Sequence, residues 1–294
     1  MKTLPKIDMK ANLGSVEITQ GNITQSRAAI LIWGAAGCGK TTLAATGPGD
    51  KLWLSMGDNE HVSVAHRADV YIADFSGMNI DDLFTQAQSD NPFGLDQLLR
   101  DKQNIETVVL DSATALAFRA LQKAVKDKIG GSRTFTPTMS QPGLSAYGGR
   151  NGIVLEVLTG ILKVTSKHNV HIIITAHEAD PTMTKDSNGN DVIDYIGTML
   201  GGQLINNMTW RLSEIWYMSQ SNLGKKERRI AFRPTRLRKP MKTRMFSDKG
   251  NPEFVLDYDA DRPDKGQMTI AGFYDKFTSN NYRKLDCPGG KNGK

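Results

Sequence analysis

Apolar residues in this chain fall into two patterns: short unbroken runs, and longer stretches where they recur every three or four positions. The run over residues 28–33, Ala-Ala-Ile-Leu-Ile-Trp, ends at Gly34 and reads as a strand buried on both faces. Residues 51–56, 70–73, 105–110 and 170–175 read as further strands, and a short one is expected over 15–19. Helical spacing is seen over 80–88, 94–101, 113–128 and 153–167, and a brief helix over 41–46 is stopped by Gly47-Pro48-Gly49. Residues 130–151 and 180–206 are rich in polar, Gly and Pro positions and are expected to be long loops, which are usually functional or disordered. Residues 211–220 and 229–238 read as a hairpin turned at 221–224, followed by a polar appendage or tail.

Strands alternating with helices imply an α/β domain with a mainly parallel sheet, its ligands at the carboxyl ends of the strands. The expected division is an N-terminal segment 1–27, a core 28–246 and an appendage or tail 247–294.

At the end of the first apolar strand stands Gly34-Ala35-Ala36-Gly37-Cys38-Gly39-Lys40-Thr41, followed by Thr42. Its glycines let successive backbone N–H groups turn inward on a polyphosphate, and the following helix adds the positive end of its dipole. In such a loop Lys40 reaches the outer phosphates and the Thr41 hydroxyl ligates Mg²⁺. A chance match in a chain of this length is roughly one in a hundred, and the strand before it and helix after it reduce that further. Asp111 closes the strand 105–110, where a carboxylate can hold the Mg²⁺ water shell or cap the next helix. Glu60 and Asp58 follow the strand 51–56, and either could orient the attacking water; Glu60 is the first choice. His177 closes the strand 170–175, where it could contact the γ-phosphate. With no Asn-Lys-x-Asp guanine signature, ATP is the expected nucleotide, and no zinc site is expected.

Composition changes this picture in a few places. Of 294 residues, 39% are hydrophobic and 23% charged, as in ordinary globular proteins. No apolar run approaches a membrane span, the N-terminus has no apolar signal core, and the only two cysteines are Cys38 and Cys287, so a reducing cytoplasm is expected. The net charge of +6 favours an anionic partner. Ten cations lie within residues 225–244, opposed there only by Glu227. Binding a single strand of DNA needs cations for phosphates and flat side chains for stacking. Arg133, Phe135, Tyr147 and Arg150 supply both in the first long loop, although a solvated basic face would look the same.

The loop 34–41, Glu60 in the segment 54–61, Val108-Val109-Leu110-Asp111-Ser112 and His177 together resemble the RecA-like ATPases, in particular the short RecA-like proteins of bacteriophages linked to single-strand annealing. Tyr147-Gly148-Gly149-Arg150-Asn151 and Lys242-Thr243-Arg244 are similar too, and the resemblance spans residues 30–246. It implies a RecA-like core with a C-terminal β-hairpin, using ATP and Mg²⁺. Glu60 takes the place of the catalytic glutamate and His177 that of the γ-phosphate sensor. The loops 130–151 and 181–206 fall where DNA-binding loops lie. Lys242 and Arg244 resemble a pair reaching into the site of a neighbouring subunit, which implies a homo-oligomeric ring or filament; they could equally belong to the basic patch. The expected role is in recombination, annealing or replication on single-stranded DNA, with recombination or replication proteins as further partners. Two features depart from the family: the second loop is acidic, with Asp186, Asp191 and Asp194, and no N-terminal oligomerisation domain of the long recombinases is seen, so full strand exchange is not expected. The rival readings are an ATP-switched assembly or loading factor and a small-molecule phosphotransferase.

Overall fold

The computed structural model describes residues 11–13, 16–18, 27–129, 131–132, 135–220, 227–249, 253–256, 268–280 and 282–287. Two short strands, β1 (Ala11–Leu13) and β2 (Val16–Ile18), pair with each other. The centre is an eight-stranded sheet made of β3 (Ala29–Gly34), β4 (Asp50–Ser55), β5 (Val70–Asp74), β6 (Ile105–Asp111), β7 (His171–His177), β10 (Glu214–Gln220), β11 (Arg228–Ala231) and β12 (Glu253–Val255). Its order is β12-β11-β10-β3-β7-β6-β4-β5, parallel throughout from β10 to β5. Strands β11 and β12 continue it in antiparallel pairings. This is the α/β class expected from the sequence, a mainly parallel sheet flanked by helices with an antiparallel hairpin at its edge.

Helices cover both faces, so β3, β6 and β7 are nearly continuous in apolar residues rather than alternating. On one face pack α2 (Ile80–Ala87), α3 (Leu95–Asp101), α4 (Ala113–Lys126), α5 (Gly143–Lys167) and α6 (Gly202–Thr209), around Leu83, Leu99, Leu116, Leu158 and Leu204. The other face holds α1 (Lys40–Ala44) and α7 (Ile270–Ser279), with Trp53, Trp216, Phe232, Phe246 and Phe273. The described residues after 246 therefore join the sheet through β12 and the core through α7. Thr46, just beyond α1, accepts through Oγ1 from Ile270 N–H at 2.9 Å, which ties α7 behind the phosphate-loop helix.

Several expected boundaries change. Helix α5 starts at Gly143, ten residues before the expected start at 153, so Tyr147 and Arg150 lie on a helix and not in a loop. Glycines at 148, 149 and 152 lower helix propensity and made the segment read as a loop. Tertiary contact overrides it: α5 packs closely on α4 and the residues after it, and a Cβ at Gly149 would lie 2.9 Å from Ile129 Cδ1. The second expected loop contains an antiparallel hairpin, β8 (Thr182–Lys185) with β9 (Asp191–Tyr195), and the start of α6. The expected strand 229–238 is cut to β11, because Pro234 removes a ladder donor and the chain leaves the sheet after Ala231.

Candidate nucleotide-binding site

The phosphate loop bridges β3 and α1 at the carboxyl end of the sheet, with Gly34 in register with Met218 of β10 on one side and His177 of β7 on the other. A Cβ at Gly34 would stand 1.9 Å from the Met218 carbonyl oxygen, so only glycine lets the two strands stay paired there. Gly39 has φ +100°, the left-handed region that disfavours side chains. Cys38 is buried against the core with Ile32 and Met218, and burial pushes its thiol pKa up. Ala36 and Gly37 are exposed, Ala35 and Thr42 half-buried.

Lys40 is only 6% exposed and its ammonium is folded back onto its own loop. Nζ donates to the carbonyls of Gly34 at 3.0 Å and Ala35 at 2.7 Å and stands 3.5 Å from His177 Nδ1. The Thr41 hydroxyl donates to Asp111 Oδ2 at 3.0 Å, and Thr175 donates to Oδ1 of the same carboxylate. Burial raises the Asp111 pKa to about 6 despite those two donors, with the nearby Glu60 charge adding to the rise. The cap of α4 is Ser112, whose Oγ accepts from Ala115 N–H at 3.1 Å; Asp111 is engaged with the two threonines instead.

Glu60 arrives because β4 runs beside β6 with Ser55 opposite Asp111, and the turn after β4 swings back over that end. Its Oε1 accepts from Ser112 Oγ at 2.8 Å, its Oε2 from Gly57 N–H at 3.1 Å, and His177 Nε2 lies 3.9 Å away. Burial alone would raise its pKa, but the neighbouring His177 and the hydrogen bonds from Ser112 and Gly57 outweigh it, and the net shift is downward. Asp58 is exposed and does not line the cavity.

Lys40, Thr41, Thr42, Glu60, Asp111 and His177 thus line one cavity of about 300 Å³, together with Gly37, Gly39, Ser63 and Arg228. The oxygens of Thr41 and Asp111, 3.0 Å apart on its wall, are the hard donors that suit Mg²⁺, and the cationic groups beside them suit a polyphosphate. Sequence reasoning counted Arg228 only as one of ten cations in the basic stretch, because nothing local distinguishes it from Arg229. The pairing of β11 with β10, itself beside β3, brings Arg228 to the phosphate loop.

Lys242 and Arg244 stand elsewhere. Lys242 Nζ donates to the carbonyls of Thr209 at 3.0 Å and Leu212 at 2.8 Å, and its backbone pairs with Ile215. Arg244 is exposed, and its N–H donates to Glu214 at 2.7 Å. Glu214 pairs with Ile30, four residues before Gly34 on β3, so both cations sit near the amino ends of the strands, roughly 13 Å along the sheet from the phosphate loop.

Of the residues expected to bind nucleic acid, Phe135 and Tyr147 are exposed, and Arg133 lies outside the described residues. Arg150 is held on its helix, donating to Asn151 Oδ1 at 2.7 Å and to the Leu200 carbonyl at 3.1 Å, with its guanidinium 5.2 Å from the Tyr147 ring. Among its described residues the basic stretch does not form one stripe. Arg238 pairs with Glu253 at 3.0 Å and stacks on Tyr217, Arg229 lies 3.4 Å from Glu227, and Arg233 donates to the Asp248 carbonyl.

Residues 26–243 match the model of the AAA domain family. The chain belongs to that family. This AAA-domain protein is a P-loop chain of the ATPase type, with its phosphate loop, acidic strand end and Glu60 all inside the matched span. Among solved structures, a KaiC-like protein from the hyperthermophilic archaeon Pyrococcus horikoshii is similar over 80% of this chain and 87% of its own, at 14% identity and a TM-score of 0.41. No curated protein matches the chain.

Proposed function

We propose that this protein binds and hydrolyses ATP with Mg²⁺ and uses the cycle to hold and release single-stranded DNA, in phage recombination, annealing or replication. The observation that carries the reading is the convergence of Lys40, Thr41, Glu60, Asp111 and His177 on one cavity at the sheet's carboxyl end. Lys40 exchanges its two loop carbonyls for phosphate oxygens, which are stronger acceptors because they are charged. Thr41 and Asp111 would hold Mg²⁺, which when bound would offset charge on the transferred phosphoryl group. Glu60 is kept ionised and aimed by Ser112 and Gly57, and so orients and polarises the attacking water.

His177 links this chemistry to the rest of the molecule. Its ring faces Lys40 and Glu60, while its carbonyl accepts from Met199 N–H at 2.9 Å, and Glu178 bridges to Thr198. Loss of the γ-phosphate would shift the ring, and the strand end passes that shift to the segment entering α6. Arg150, bonded to Leu200, connects the same segment to the exposed Tyr147. Lys242 and Arg244 are too far from their own phosphate loop to serve it, which supports action on a neighbouring copy in a ring or filament.

A second reading, a switch acting on a protein partner, is favoured by the β8–β9 hairpin. Met183, Ile193 and Tyr195 are exposed there beside Asp191 and Asp194, a surface unsuited to nucleic acid. Steady-state ATP hydrolysis with and without single-stranded DNA, at two salt concentrations, separates the two. Strong stimulation that weakens with salt is expected; turnover indifferent to DNA would overturn the DNA reading and leave the protein switch.

A further inference from the structure

The cavity is bracketed by two kinds of wall. Asp111, Glu60 and His177 come from the β6, β4 and β7 side of the phosphate-loop strand. Arg228 comes from the other side, on β11, and is the one arginine among the described residues that line the cavity. It lies against the turn of the loop: a Cβ built on Gly39 would meet Arg228 Nε at 2.8 Å and its Cδ and Cζ at 3.0 Å. Gly39, favoured there by its backbone angle, leaves the space in which this side chain lies.

The guanidinium has no compensating acceptor at one of its nitrogens. Arg228 Nη1 is shut off from solvent and makes no hydrogen bond. A buried donor left without an acceptor is costly, and more so on a charged group. Nη1 is thus held inside the protein, and it is the rest of the side chain that lines the cavity and offers a cation to an anion bound there.

Resting on the nucleotide reading above, we propose that Arg228 is a phosphate-binding residue acting within its own protomer, on the diphosphate moiety that ATP and ADP share. Its position over Gly39 decides which phosphates it meets. The loop's backbone N–H groups cradle the α- and β-phosphates, whereas the γ-phosphate belongs with Lys40, Glu60 and His177 on the opposite flank. Arg228 therefore sets how firmly the product ADP is retained, a role distinct from that of Lys242 and Arg244. It also ties the nucleotide to the outer, antiparallel part of the sheet.

The test is calorimetric titration of ADP and of a non-hydrolysable ATP analogue, each with Mg²⁺, into the full chain and into Arg228→Ala and Arg228→Lys. Arg228→Ala is expected to weaken both nucleotides by about tenfold and by the same factor, with Arg228→Lys recovering part of the loss. Without nucleotide, Arg228→Ala is expected to unfold at the wild-type temperature or above, since no hydrogen bond at Nη1 is lost, while the upward shift given by ADP shrinks. Unchanged affinities, a loss confined to the triphosphate analogue, or a lower unfolding temperature with an undiminished ADP shift would each overturn the assignment. A wild-type chain that takes up neither nucleotide would overturn the nucleotide reading as well; wild-type binding that Lys40→Ala abolishes and Arg228→Ala leaves intact would remove only the role of Arg228.

Discussion

The two ends of the central sheet are built differently. At the carboxyl end the chemically active groups face one another across short distances, and nearly every one has a partner: Thr41 with Asp111, Ser112 with Glu60, Lys40 with two carbonyls. At the amino end, near Glu214, the carboxylate is fully buried and takes four donors, from Trp216, Thr243, Arg244 and Met245, while the Arg244 side chain is left in solvent. The first end is organised to receive a ligand. The second fixes the backbone of residues 243–245 so that a cation projects outward. One end gathers the groups proposed for nucleotide chemistry, and the other leaves a cationic side chain in solvent.

The comparison breaks first at Lys40. Lys40→Ala is expected to reduce nucleotide turnover by at least about a hundredfold, measured as steady-state phosphate release, and near-normal turnover would sink the site assignment. Next comes Glu60→Gln, which is expected to keep ATP binding and slow hydrolysis by about a hundredfold. Asp58→Asn beside it should stay near wild type, because Asp58 is exposed and off the cavity wall; the reverse result would exchange the two roles.

At the amino end the expected effect is smaller and conditional. Arg244→Ala should lower turnover about tenfold where copies assemble, yet leave ATP binding by a single protomer intact. Mixing Arg244→Ala with Lys40→Ala protein should restore part of the activity, since each supplies what the other lacks. If mixing restores nothing while both proteins co-assemble, the shared site is refuted.

The smallest effect concerns stability rather than activity. His171 is buried, its Nδ1 accepts from Ala28 N–H at 3.0 Å, and burial, helped by Arg27, lowers its pKa to about 4. A base whose pKa is lowered by folding stabilises the fold fully above its unfolded value near 6.5 and loses that contribution as pH falls toward 4. From pH 7 to pH 5 the loss should be about 2 kcal/mol, read from urea midpoints. His171→Gln should flatten that pH dependence; an equally steep one would show that other groups produce it.

Much of the nucleotide site was legible along the chain because its parts are local motifs attached to strand ends. A parallel strand buried on both faces must be a continuous apolar run, and the polar residue that ends it must sit on the same edge of the sheet as its neighbours' ends. That reasoning puts Lys40, Asp111 and His177 at one edge of the sheet, with Glu60 a few residues past the end of β4. The same reasoning failed for α5, where glycines at 148, 149 and 152 argued for a loop and close packing on α4 decided for a helix. It also failed for the basic stretch, where ten cations looked alike and the fold gave them separate ends: Arg238 in an ion pair, Lys242 on backbone carbonyls, Arg228 at the phosphate loop.

By itself, then, the sequence determined the class of the fold and the kind of ligand its sheet is shaped to hold, because backbone periodicity and the phosphate loop act over a few residues. Only the tertiary structure decided which of two nearby carboxylates faces the cavity, which arginine joins it, and that Lys242 and Arg244 stand at the other end. Those outcomes depend on strand order and register, and a pairing between residues far apart in the chain leaves no mark on the residues beside either partner.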